Sequence, residues 1–140
     1  MNAQTENKNQ TKESSNIDNK ELISQLEKQV SIAIWIQTIG KIMEVLLLTK
    51  ILLIDEEARS DPNERQVVEG VWIETIGQIL EGIGVTKDVL ANEEPIKLEA
   101  TNIANIGDWL QGIGAIYAAH AEKLIIAKDR EELVTNLFVP

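Results

Sequence analysis

The sequence predicts an all-α protein: an up-down-up bundle of three long antiparallel helices built from three 37-residue repeats. Three observations lead there. The only three tryptophans, Trp35, Trp72 and Trp109, recur at a spacing of 37 residues. Around them the chain reads WIQTIGKI (35–42), WIETIGQI (72–79) and WLQGIGAI (109–116), one pattern returning in register without a gap. The composition is 44% hydrophobic but only 4% aromatic, an aliphatic bias that suits helix-on-helix packing better than a sheet.

The elements follow in order. Residues 1–16 are almost entirely polar and cannot bury enough surface to offset their ordering entropy, so a disordered polar tail is expected there. The rest, 17–140, reads as a single helical domain. Asp18 with Glu21 three residues on resembles a capping box and starts a helix over about 18–54. Within it Ile32, Trp35, Ile39, Ile42, Leu46, Thr49 and Leu53 step by three and four, an a/d heptad seam of coiled-coil type. DEEARSDPNER reads as a loop, and Asp61 as cap with Pro62 at the first helical position opens a second helix over 62–91. Its seam is Trp72, Ile76, Ile79, Ile83, Thr86 and Leu90. Pro95 opens a third helix over 95–136, with a break considered near Thr101 and a seam of Ile106, Trp109, Ile113, Ile116 and His120. A helix of 30 residues is roughly 45 Å long and the loops span at most about 25 Å, so successive helices must be antiparallel. A solenoid of short hairpins is the competing topology. It would need a break near Gly82–Gly84, where the 3.5 period runs on undisturbed.

Glycine inside a helix costs about 1 kcal/mol against alanine, so its regular use needs a reason. Gly40, Gly77 and Gly114 share one repeat position, and Ile-Gly pairs also recur seven residues apart, bringing in Gly84 and Gly107. A glycine every heptad lets another backbone approach closely, within the monomer first and between chains or in lipid second. The tryptophans lie on the seam and are expected to be core anchors, interfacial membrane anchoring being the alternative. Helix one stands apart. From Val45 to Ile54, through Leu48 and Leu52, only Thr49 and Lys50 are polar, so the helix is apolar all round and should not sit alone in water. Self-association is the preferred explanation and membrane contact the second. Lys41, Glu44 and Lys50 speak against a transmembrane span, each costing about 2.5–3.5 kcal/mol near mid-bilayer.

The chemistry of an enzyme is missing. There is no cysteine and one histidine, His120, whose neighbours at helical spacing offer no metal ligand, so a partly buried structural role is expected. Glu44 and Glu81 match in the repeat but read as solvent-face carboxylates, since acid–base catalysis needs a pocket. Asp55, Glu56, Glu57 and Asp61 lack the spacing of a calcium loop, and the Gly-Ile-Gly strings follow no strand. No cofactor or metal is expected. The formal net charge of −10 argues against nucleic acid. All of that charge lies after residue 54, because residues 1–54 carry six acids and six bases. No apolar leader follows the start and no prenylation cysteine ends the chain, so a cytoplasmic location is expected.

The W-[IL]-[QE]-x-I-G-x-I repeats over about residues 30–120 resemble an uncharacterised family of short repetitive helical proteins from spore-forming Firmicutes. That resemblance implies an all-helical, non-enzymatic bacterial protein and lends no catalytic residue. The expected function is a structural or protein-interaction role: a bundle that self-associates, with a homo-oligomer or a helical protein as partner. The alternative is a membrane-active protein that inserts its apolar first helix.

Overall fold

No proline interrupts the chain before Ile54, and the first helix runs unbroken through its one glycine, Gly40. The computed structural model describes residues 3–138, with side chains over 19–137. Its helix α1 spans Ala3–Ile54, starting upstream of the Asp18 cap because nothing before that cap breaks a helix. The expected polar tail, 1–16, lies outside the residues whose side chains are described. The segment read as a plain loop holds a short helix, α2 (Glu56–Ser60), whose cap Asp55 accepts from the backbone nitrogens of Glu57 at 2.9 Å and Ala58 at 3.1 Å. Helix α3 is Pro62–Leu90, and its Asp61 cap accepts from the Asn63 nitrogen at 2.8 Å. Helix α4, Glu94–Phe138, has no break at Thr101, whose hydroxyl donates back to the Lys97 carbonyl at 3.0 Å. Among the described residues there is no strand.

Asp61 also accepts from Lys128 on α4 at 3.1 Å, tying the start of α3 to the far part of α4. The Asn63 backbone N–H first, and Lys128 second, hold its carboxyl below the ordinary value of 3.8. A carboxylate depressed by folding contributes stability that is complete above its unfolded value and lost as pH falls through its folded value. Asp61→Ala should therefore lower the unfolding temperature at neutral pH, and the deficit should fade as pH drops below 3.8. Thermal melts followed by circular dichroism check this. A deficit that persists in strong acid would contradict it.

Neighbouring helices pair antiparallel. Ser31 of α1 meets Thr86 of α3 while Lys41 meets Glu74, and Gly70 of α3 meets Gly114 of α4 while Gly84 meets Ala100. Among the described residues α1 and α4 do not touch. The bundle is thus open, a layer of three helices with α3 in the middle. Its buried residues are small or hydroxyl-bearing: Ser31, Ile34, Thr38 and Val45 on α1, Val68, Val71 and Thr75 on α3, and Ala100, Ala118 and Ala121 on α4.

Most isoleucines and leucines of the heptad seam do not lie between the helices. Ile32, Ile39, Leu46 and Leu53 of α1, Ile76, Ile83 and Leu90 of α3, and Ile106, Ile113 and Ile116 of α4 are all exposed, Ile116 to 74%. His120, on the same seam, is exposed rather than partly buried. Between α3 and α4 the physical reason is the glycine placed one residue after the seam isoleucines Ile76, Ile83, Ile106 and Ile113. Where backbones touch, no layer remains between them for isoleucine or tryptophan, so the large side chains stand out from the layer.

Candidate interaction surface

Two kinds of contact hold the layer, and each is self-complementary. Between α1 and α3, the Trp35 indole N–H donates to the Thr86 hydroxyl at 2.8 Å, and the Trp72 indole N–H donates to Thr49 at 3.0 Å. Trp72 and Thr86 are the repeat equivalents, 37 residues on, of Trp35 and Thr49. The second bond is therefore the first with the helices exchanged. Thr38, fully buried, donates to its own Ile34 carbonyl at 2.8 Å and lies against the Gln78 backbone, as Thr75 donates to Val71 at 2.7 Å. Short hydroxyls satisfied inside their own helix let two polar positions meet in a tight contact without orphaned groups.

Between α3 and α4 the contact is backbone on backbone. A Cβ added to Gly77 would lie 2.6 Å from the Gly107 carbonyl oxygen, and one on Gly107 would lie 2.6 Å from that of Gly77. Gly70 and Gly114 are reciprocal in the same way, at 2.7 and 2.6 Å. Gly84 completes the row, with the Ala104 nitrogen and the Ala100 carbonyl against its open side. Gln111 Nε2 bridges this contact to Glu81 at 2.9 Å, and Gln78 reaches the same carboxylate at 3.0 Å.

A two-fold relating antiparallel helices stands perpendicular to their common plane, so equivalent positions stay on one side of the layer. All three seams therefore share a face, which carries Trp35, Trp72 and Trp109 among exposed isoleucines. The opposite face carries the charged links, beside an apolar groove of Ile23, Leu26, Val30, Val85 and Val89. There Lys41 joins Glu74 at 2.7 Å and Glu44 at 3.2 Å. Burial works to lower the Lys41 pKa, but hydrogen bonds and charge from Glu74 and Glu44 outweigh it and raise it above 10.5.

The tryptophans are not core anchors. Trp35 is 37% and Trp72 is 39% exposed, each held at its rim by a threonine, while Trp109 is 69% exposed. Trp109 has no such bond because, among the described residues, no helix packs on the flank of α4 that would face it with a threonine. Gly77, Gly84, Gly107 and Gly114 are buried in the α3–α4 contact, but Gly40 is open, with nothing within 4 Å of an added Cβ. Leu48 and Leu52 are half-buried, whereas Leu46, Leu47, Ile51, Leu53 and Ile54 around them are exposed. Residues 19–54 of α1 are long and apolar enough to cross a membrane, and little of that stretch is covered by protein. Sequence reasoning had not singled out Ser31, Thr38, Thr75 or Gln78. Their signal was the threonine shared by the first two repeats, at Thr38 and Thr75.

Gly112 on α4 is likewise open, with nothing within 4 Å of an added Cβ. Gly112→Ala should then gain the helix propensity unopposed and stabilise the fold by about 1 kcal/mol, read from urea unfolding. A destabilised variant would show that this edge of α4 is in contact. No group of three or more metal-binding side chains occurs among the described residues. Comparison of the chain with protein-family models, curated proteins and solved structures gives no match.

Proposed function

We propose that this is a non-enzymatic structural or protein-interaction protein, an up-down-up layer of three 37-residue repeats that self-associates. One observation carries the reading: the seam residues of all three helices, together with most of α1, form apolar surface that the chain does not cover itself. A monomer rarely exposes so much contiguous apolar surface in water without a partner for it. The Lys41–Glu74 and Glu81–Gln111 links add charged and polar groups to the other side of the assembly. A cytoplasmic, acidic homo-oligomer fits this role, and the resemblance to the repetitive Firmicutes proteins implies an all-helical, non-enzymatic bacterial protein.

The second reading, a membrane-active protein that inserts α1, is favoured by the length and apolar character of residues 19–54. Multi-angle light scattering with liposome flotation separates the two. A defined oligomer that stays at the bottom of the gradient supports self-association. A monomer that floats supports the membrane reading.

A further inference from the structure

Resting on the self-association reading, we infer that the outer edge of α1 pairs with the same edge of a second copy, antiparallel about a two-fold axis. Each contact inside the chain joins like face to like face. The threonine face of α1 meets that of α3, and the glycine face of α3 meets that of α4. The pattern leaves two faces over. On α4 the threonine-type positions have become Asn105, Asp108, Gly112 and Ala119, an exposed edge of polar and small residues that no longer carries the threonine contact and ends the layer as a capping repeat does. On α1 the glycine-type positions are Ala33, Gly40 and Leu47, flanked by Ile36 and Met43, all exposed and, among the described residues, without a partner. The surface complementary to a self-complementary face is another example of itself. The one left unpaired in this chain is carried by a second copy.

Charge agrees. The net −10 lies beyond residue 54, so α1 is where two copies meet with least repulsion. One open edge and one capped edge give a closed two-fold dimer rather than a fibre.

The register follows from α3 and α4. Gly77 faces Gly107 there, so Gly40 of one copy faces Ala33 of the other, with Gln37 nearest the axis. Gln37 and Glu44 are the repeat equivalents of Gln111 and Glu81, which are hydrogen-bonded at 2.9 Å. The dimer thus repeats that bond twice between copies. Leu47 replaces the small residue of the other repeats, so the two α1 helices cross and approach closely only at Ala33 and Gly40.

Sedimentation equilibrium of wild type, Gly40→Leu and Gly112→Leu tests this. Both glycines are free of contacts within 4 Å, so neither change obstructs folding of the chain. Gly40→Leu should weaken dimerisation by at least about tenfold, with helix content unchanged and Gly112→Leu still dimeric. Since the chain has no cysteine, Gln37→Cys with a short bis-maleimide should give a covalent dimer, and Gly112→Cys should not. Association that ignores Gly40→Leu, with no Gln37→Cys cross-link, overturns the α1 pairing and leaves self-association standing. A wild type that is monomeric throughout overturns both. Flotation of wild type on phosphatidylcholine vesicles that Gly40→Leu leaves unchanged assigns the edge to lipid and overturns the pairing.

Discussion

Gly77→Leu should separate α3 from α4, lowering the unfolding temperature well below that of wild type. The added Cβ alone would sit 2.6 Å from the Gly107 carbonyl oxygen and 2.7 Å from the Gln111 nitrogen. Both atoms are backbone, so no rotamer change relieves the overlap. The whole of α4 must move away, taking the reciprocal Gly70–Gly114 contact and the Glu81–Gln111 bond with it. Ordinary overpacking costs about 1–3 kcal/mol, and a rigid backbone on both sides puts this change at or above the upper end. Gly77→Ala tests the sign more sharply. Helix propensity alone favours alanine by about 1 kcal/mol, yet the clash should make the variant less stable than wild type. Thermal and urea unfolding of both variants decide it. If Gly77→Leu leaves melting temperature and oligomer size unchanged, the close contact does not exist.

How legible this layer was in the sequence depends on which residues are asked. The start of α3 was readable because Asp61-Pro62 combines an acceptor for the free N–H groups with a residue preset for the first turn. The antiparallel order was readable from loop length alone. The wrong inference was that the largest apolar residues mark the core. That rule holds when side chains interdigitate between helices. Here Gly70, Gly77 and Gly84 admit the α4 backbone itself, and the seam one residue away is turned about 100° out of the contact. Thr49 and Thr86 were visible as a repeated pair, but their role as acceptors for the tryptophan N–H groups depends on a partner helix no local pattern reveals. Gly40 shows the limit most plainly. It matches Gly77 and Gly114 in sequence, yet its side of α1 is open, because α1 is the end of a row rather than its middle.

Position in the row also sets the order in which the fold should come apart. Helix α1 is held on one flank only, by Ser31, Ile34, Thr38 and Val45, whereas α3 and α4 share backbone contact along three glycines. Val45 is 1% exposed, so Val45→Asp places a carboxylate with no partner in the α1–α3 contact. An uncompensated buried charge costs about 3–5 kcal/mol. The chain can avoid that cost by releasing α1, and the α3–α4 pair has no need to follow. The expected result is a two-step melt in place of one, with most helix content retained after the first step. Trp35 and Trp72 lose their threonine acceptors together in that step, so tryptophan emission should shift to the red before ellipticity falls. Proteolysis should then cut within residues 19–54 and spare the chain from Pro62 onward. A single cooperative melt in which fluorescence and ellipticity coincide would show that α1 is as firmly held as α4. The same variant bears on function, because a released α1 presents both its flanks. Pairing of α1 edges survives that release if the edge alone directs it. It is lost if α3 must hold α1 in line, and sedimentation of Val45→Asp tells which.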